Sequence, residues 1–168
     1  IGFTGKLSDF FEVPKQSYRT EYVDLTYDQK NKIDELRLMY PDPLVYVGKR
    51  HQAEQGILIG NEFRETEYID NNKIKKLIEY VAQYPRIIIF AKYIAQLEYI
   101  ESVMERKTLL LTGATKNRSE LLQEANSSDE CVFLCQASMG IGWELPKFPV
   151  AVFASMSYSL VDRVQAEG

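Results

Sequence analysis

IIIFAKYIAQLEYIESVMERKTLLLT, residues 87–112, decides the fold. Ile87 to Ala91 is a short uninterrupted apolar run behind Pro85, the pattern of a strand buried on both faces of a parallel sheet. From Tyr93 to Glu105 the period changes. Ile94, Leu97, Ile100, Val103 and Met104 recur at helical spacing. Thr108 to Thr112 is apolar again and reads as a second buried strand. Strand, helix, strand predicts a right-handed crossover and parallel pairing.

The same alternation continues downstream. Asn117 to Ala125 is a short helix with Leu121 and Leu122 inward, Cys131 to Cys135 a third strand and Val150 to Ala154 a fourth. Leu160 begins another helix. Upstream the chain is less regular. Tyr18 to Asp24 reads as an extended connector. Thr26-Tyr27-Asp28-Gln29 has the form of a capping box and opens a helix to about Tyr40, where Pro41 and Pro43 stop it. Arg50 to Leu58 reads as a short helix. Asp70 or Asn71 caps a helix over Asn72 to Tyr84, with Ile74, Leu77, Ile78 and Val81 on one face. The predicted class is α/β, a parallel β-sheet flanked by helices with a helical and extended N-terminal appendage. Residues 1–84 form the connector and helical part of the lobe, and residues 85–168 form its core.

Bulk properties bound the function. A chain of 168 residues, 45% hydrophobic and 26% charged, makes one domain with a buried core. A net charge of −4 gives no global attraction to nucleic acid, so any such contact must be local. Two cysteines, Cys131 and Cys135, and one histidine, His51, exclude a disulfide framework and a rich zinc site. No apolar stretch approaches the roughly 18 residues of a membrane span, and no signal peptide is visible. The chain opens on Ile1 and closes on Gly168 inside a polar helical pattern, which predicts a piece of a longer polypeptide.

Several motifs fail on inspection. A phosphate loop needs G-x-x-x-x-G-K-[ST], but Gly5-Lys6 and Gly48-Lys49 are followed by Leu7 and Arg50. Asp129-Glu130 precedes its strand, whereas a Mg²⁺-holding acid must end one, so the pair reads as a solvated turn. Gly140-Ile141-Gly142 lacks the third glycine of a dinucleotide fingerprint, since Leu145 stands there. Cys131 and Cys135, four apart on a strand, share one face and read as buried thiols. His51 has no evident acid–base partner and reads as a packing or surface residue. The eleven tyrosines are scattered through periodic segments and read chiefly as packing, with base stacking as the alternative for one or two.

What survives is an order of elements, and that order resembles a family. Ile87 to Glu105 looks like motif IV of superfamily 2 helicases and translocases. Leu110-Leu111-Thr112-Gly113 followed by Arg118 looks like the next element, a strand ending Thr/Gly and then an arginine. Val132 to Pro146 looks like motif V, a strand running into a small-residue loop. Tyr158 to Gly168 looks like the start of motif VI, Gln-x-x-Gly-Arg-x-x-Arg, in which Gln165 and Gly168 fit and the chain then ends. Val13-Pro14-Lys15 and Tyr22 to Gln29 resemble the Swi/Snf-like group. Together these imply the second, C-terminal RecA-like lobe of an ATP-dependent nucleic-acid motor of bacterial or phage type.

The resemblance implies roles residue by residue. Lys92, Thr112, Gly113, Arg118, Cys135, Gln136 and Ser138 would contact the backbone of DNA or RNA, with DNA favoured. Gly142, Glu144 and Gln165 would face ATP. Two positions depart from the family: Cys135 stands where Thr or Ser is usual, and Glu144 where Asp or Asn is usual. Trp143 more naturally packs the loop onto the core than stacks on a base. No catalytic residue falls within the 168 residues, because the motif VI arginines would lie after Gly168. The phosphate loop and the Mg²⁺-binding acid would belong to a first RecA-like lobe of the same parent chain. The intact parent would therefore use ATP and Mg²⁺, in the cytoplasm and away from membranes, while this stretch alone would hold neither and hydrolyse nothing. Two other readings stay open: an independent nucleotide-binding α/β enzyme using the 135–146 loop, and a non-catalytic interaction module.

Overall fold

A computed structural model describes residues 17–61, 65–139 and 145–156. Its centre is a four-stranded sheet in the order β4-β5-β3-β6, made of β3 (Arg86–Ala91), β4 (Thr108–Leu111), β5 (Cys131–Gln136) and β6 (Val150–Phe153). All three pairings are parallel, with Ile88 opposite Phe133 and Ala151, and Leu110 opposite Leu134. The two inner strands, β3 and β5, are the most continuously apolar, as burial on both faces demands.

Successive side chains of a strand point to opposite faces, so each apolar run supplies two cores. Ile87, Ile89, Ala91, Val132 and Leu134 face α3 (Asn72–Gln83) and α4 (Ile94–Val103), which contribute Ile74, Leu77, Val81, Leu97 and Ile100. Ile88, Phe90, Leu109, Leu111, Cys131, Phe133 and Cys135 face the other side. There Ala125, Leu121 and Leu122 of α5 (Arg118–Ser127) pack with Leu145 and Phe148. Helices thus cover both faces of a parallel sheet, as the strand–helix alternation predicts. Ile78 departs from the expected apolar face of α3 and is exposed.

The N-terminal part holds α1 (Tyr27–Met39), α2 (Pro43–Glu54) and a short antiparallel hairpin, β1 (Ile57–Leu58) with β2 (Glu67–Tyr68). The capping box is present: Thr26 Oγ1 accepts the Gln29 N–H, and Gln29 Oε1 accepts the Thr26 N–H at 3.1 Å. Gln29 is almost fully buried and also donates through Nε2 to Ala53 O at 2.9 Å and Glu54 O at 3.2 Å. The end of α2 is therefore pinned to the start of α1. The helix expected from Arg50 instead starts at Pro43, at the first turn where proline has no N–H to satisfy, with Asp42 Oδ1 accepting the Leu44 N–H as its cap. Asn71, not Asp70, caps α3 through the Ile74 N–H at 3.0 Å. The helix expected from Leu160 lies outside the described residues, and none of the described helices is long and apolar enough to cross a membrane.

Candidate nucleic-acid interface

Parallel strands end on one edge of the sheet, and ligands of open α/β sheets bind outside that edge. The residues that end or follow β4, β5, β3 and β6 lie along it in that order: Thr112-Gly113, Gln136-Ala137-Ser138, Lys92-Tyr93 and Ala154-Ser155. Leu111 is opposite Cys135, and Gln136 is opposite Ala91, so neighbouring loops are about 5 Å apart across the ladder. Five of the seven expected contact positions, Lys92, Thr112, Gly113, Gln136 and Ser138, therefore lie along this edge, and Arg118 opens α5 beside it.

The loop after β4 is tightly organised. Thr112 N–H donates to Thr115 Oγ1 at 3.0 Å, and Thr112 Oγ1 accepts from the Ala114 N–H at 3.3 Å. Thr112 itself is nearly buried, so its hydroxyl shapes the turn. The exposed Gly113 points its N–H at Gln136 Oε1, 3.3 Å away. A phosphate oxygen would replace that acceptor, and the absence of a side chain at Gly113 keeps the approach open. A Cβ there would stand 3.7 Å from Met139 Sδ. Arg118 opens α5 with Nη2 3.7 Å from the same sulfur, so among the described residues its guanidinium faces a thioether rather than a carboxylate. Ser138 is exposed in the 3₁₀ turn Ala137–Met139.

Lys92 begins the β3–α4 loop. Its N–H donates to Ser155 Oγ at 2.9 Å, and its ammonium lies 5.1 Å from the Tyr93 ring centroid. Tyr93 Oη is 2.8 Å from His51 Nδ1, which gives His51 the partner that the sequence did not show. Burial first, then the positive charges of Lys92 and Lys73, hold the His51 pKa below its ordinary value, against the pull of Glu54.

Cys135 is placed differently from the rest. Its side chain is fully buried in the sheet core with Phe90, Leu111 and Phe133. The same alternation that puts Cys131 and Cys135 on one face turns both inward. Burial pushes the Cys135 thiol up to about 12 and raises that of Cys131 as well. A thiol so placed offers no side-chain contact to a polymer in solvent. Both thiols are therefore expected to resist a maleimide at pH 8 for many minutes in the folded protein and to react fully in denaturant. One fast-reacting thiol in the folded state would contradict this placement. Gly142, Glu144 and Gln165, expected to face ATP, lie outside the described residues, as does Trp143. Among the described residues no group of three His, Cys, Asp or Glu side chains is placed to hold a metal ion.

Two groups at this edge, Ser155 and Lys73, were not legible in the sequence. Ser155 fixes Lys92 by accepting its N–H, and donates its own hydroxyl proton to Gln96 Oε1. Lys73 Nζ reaches the carbonyl of Ala154 at 2.8 Å and the side-chain oxygen of Gln55. Nothing in the spacing separates Lys73 from the solvated Lys75 and Lys76 beside it.

No protein-family model matches the chain, and no curated protein does. Solved structures do. The C-terminal part of the Fun30 ATPase domain matches with a TM-score of 0.52 at 19% identity, over 79% of this chain and 43% of that one. The Pyrococcus furiosus Hef helicase domain matches with a TM-score of 0.49 at 19% identity, over 83% of this chain and 31% of that one. The chain thus spans less than half the length of either structure. The parallel sheet with helices on both faces is an α/β RecA-like lobe. More particularly, the fold is similar to that of the C-terminal part of the Fun30 ATPase domain.

Proposed function

We propose that this chain is the second motor lobe of an ATP-dependent helicase or translocase, gripping the backbone of a nucleic acid, DNA by preference, along the C-terminal edge of its sheet. The observation that carries this reading is the convergence of Lys92, Gly113, Arg118, Gln136 and Ser138 on one edge of a RecA-like sheet. The set offers two cations, a backbone N–H, a carboxamide and a hydroxyl. Such groups bind phosphate oxygens without reading sequence. A local cluster of this kind works in a chain whose net charge is −4, because counterion release depends on the charges at the contact.

The residues set toward ATP by this reading, Gly142, Glu144 and Gln165, are outside the described structure, and no step is derived through the nucleotide. When bound between two lobes, ATP with Mg²⁺ would supply the energy of phosphoryl transfer. This chain's own contribution is to hold backbone phosphates and to move as a rigid lobe when the cleft opens and closes. Its partner in that motion is a first RecA-like lobe, proposed to belong to the same polypeptide.

The test is ATP hydrolysis by the 168-residue chain and by its intact polypeptide, side by side, with and without duplex DNA, single-stranded DNA and RNA. A silent chain and an intact protein stimulated by one polymer are expected. An intact protein that hydrolyses nothing under any condition would favour a non-catalytic interaction module. Hydrolysis by the 168 residues alone would favour an independent nucleotide-binding enzyme.

A further inference from the structure

Lys73 lies where three parts of the molecule meet. It projects from the first turn of α3, between the end of α2 and the point where the chain leaves β6. Its Nζ donates to Gln55 Oε1 on one side and to Ala154 O on the other, and both acceptors are neutral. The side chain is largely buried, and among the described residues its cation is held by these dipoles and by no salt bridge. Glu54 is the acid that acts on it and His51 the other titratable neighbour, both from α2, and Lys92 adds positive charge next to His51.

Hydrogen bonds, joined where needed by adjacent residues of the chain, run to either side of Lys73. Thr26 Oγ1 donates to Asp70 O at 2.9 Å, and Gln29 ties α1 to the carbonyls of Ala53 and Glu54. Gln55 follows, then Lys73, then Ala154. Ala154 N–H donates to Phe90 O at 2.8 Å, and Ser155 accepts the Lys92 N–H. Ser155 also bonds Gln96, whose buried Nε2 has no hydrogen-bond partner among the described residues. The series begins at the helical pair and ends at the loop that presents Lys92.

We propose that Lys73 is a positioning residue that locks the exit of β6 and the Lys92 loop to the helical pair α1–α2, so that the pair and the phosphate-gripping edge move as one body. This rests on the motor reading for its consequence in turnover, but the lock itself does not. Geometry carries it. The Ala154 carbonyl lies just beyond the last residue of β6, the Lys92 N–H at the end of β3 donates to Ser155 Oγ, and Lys73 supplies the carbonyl with a donor from another layer of the fold.

The titration of Lys73 reports the same buried position. Burial lowers the Lys73 pKa from the ordinary 10.5 to about 8, with Glu54 opposing. Between those values the unfolded chain binds the proton more tightly than the folded one, so stability must rise with pH across about pH 8 to 10.5. Below pH 8 both states hold the proton and the penalty is constant.

The experiment measures amide exchange and alkaline stability of the intact protein and of Lys73→Met and Gln55→Glu. Lys73→Met should speed exchange of the Lys92 and Ala154 amides about tenfold relative to β5 and remove the rise in stability above pH 8. Gln55→Glu places an anion against the ammonium and should move that rise to higher pH, giving a second reading if Lys73→Met does not fold. Unchanged exchange at Lys92 and Ala154, or a rise that stays in place in Gln55→Glu, overturns the lock. In nucleic-acid-stimulated hydrolysis Lys73→Met should lower kcat about tenfold and leave KM for the polymer within twofold. Faster exchange with unchanged kcat would overturn the positioning role while the lock stood. Faster exchange in a protein that shows no stimulated hydrolysis at all would retain the lock and remove the motor reading.

Discussion

Gly56→Ala is expected to cost about 3 kcal/mol and to lower Tm by about 6–12 °C in thermal unfolding. Two effects add. Gly56 has φ +77°, the left-handed region in which a Cβ crowds the following carbonyl. It also lies against Asn71: a Cβ would overlap the Asn71 side-chain amide and stand 2.9 Å from Ile69 O. Asn71 is nearly fully buried and cannot retreat without surrendering its bonds to the Ile74 N–H and Ile69 O. Relief at residue 56 would thus uncap α3, the helix that carries Lys73. Gly48→Ala is the control, because nothing lies within 4 Å of a Cβ at that helical position, and alanine should be neutral or slightly stabilising there. A Gly56→Ala shift under about 2 °C would mean that the α2 terminus adapts and that its left-handed turn constrains nothing.

That turn also marks where sequence reading stopped. The two inner strands of the core were legible because burial on both faces leaves an unbroken apolar run, as Ile87 to Ala91 and Cys131 to Cys135 show, and β4 and β6 were legible from shorter apolar runs although they are only partly buried. The start of α1 was legible because a capping box is a local device between residues three apart. β1 and β2 were not, since two residues each give no period to detect, and α2 was misjudged because Pro43 read as a stop when it serves as a start. The site divides along the same line. Lys92 and Gly113 lie at or just past the ends of their strands, so their place on the edge comes from strand ends, whereas Arg118 opens α5 after the loop that follows β4. Cys135 fell to the resemblance against its own parity, which puts it inward with Cys131. Lys73 and Ser155 act through residues far away in sequence, and no spacing rule finds a bond between positions 73 and 154.

Removing Lys92 and Arg118 together is expected to weaken nucleic-acid binding by the intact protein about 100-fold at 0.1 M salt, roughly tenfold for each charge-assisted contact. Affinity alone would not distinguish a lost phosphate contact from a damaged fold. The salt dependence does. Each backbone phosphate neutralised contributes about 0.9 to the slope of log K against log salt on duplex DNA and about 0.7 on a single strand. Loss of two contacts should therefore make the slope shallower by about 1.8 on duplex or about 1.4 on single strand. Lys92 and Arg118 suit the comparison because they flank the edge from different strands, after β3 and after β4, with β5 between them. A polymer running along the edge meets both, whereas one crossing a single loop meets one and loses only half as much slope. Weakened binding with an unchanged slope would place the polymer elsewhere on the lobe. An intact slope and affinity in the double variant would remove the backbone grip from this edge, leaving the RecA-like fold without the function proposed for it.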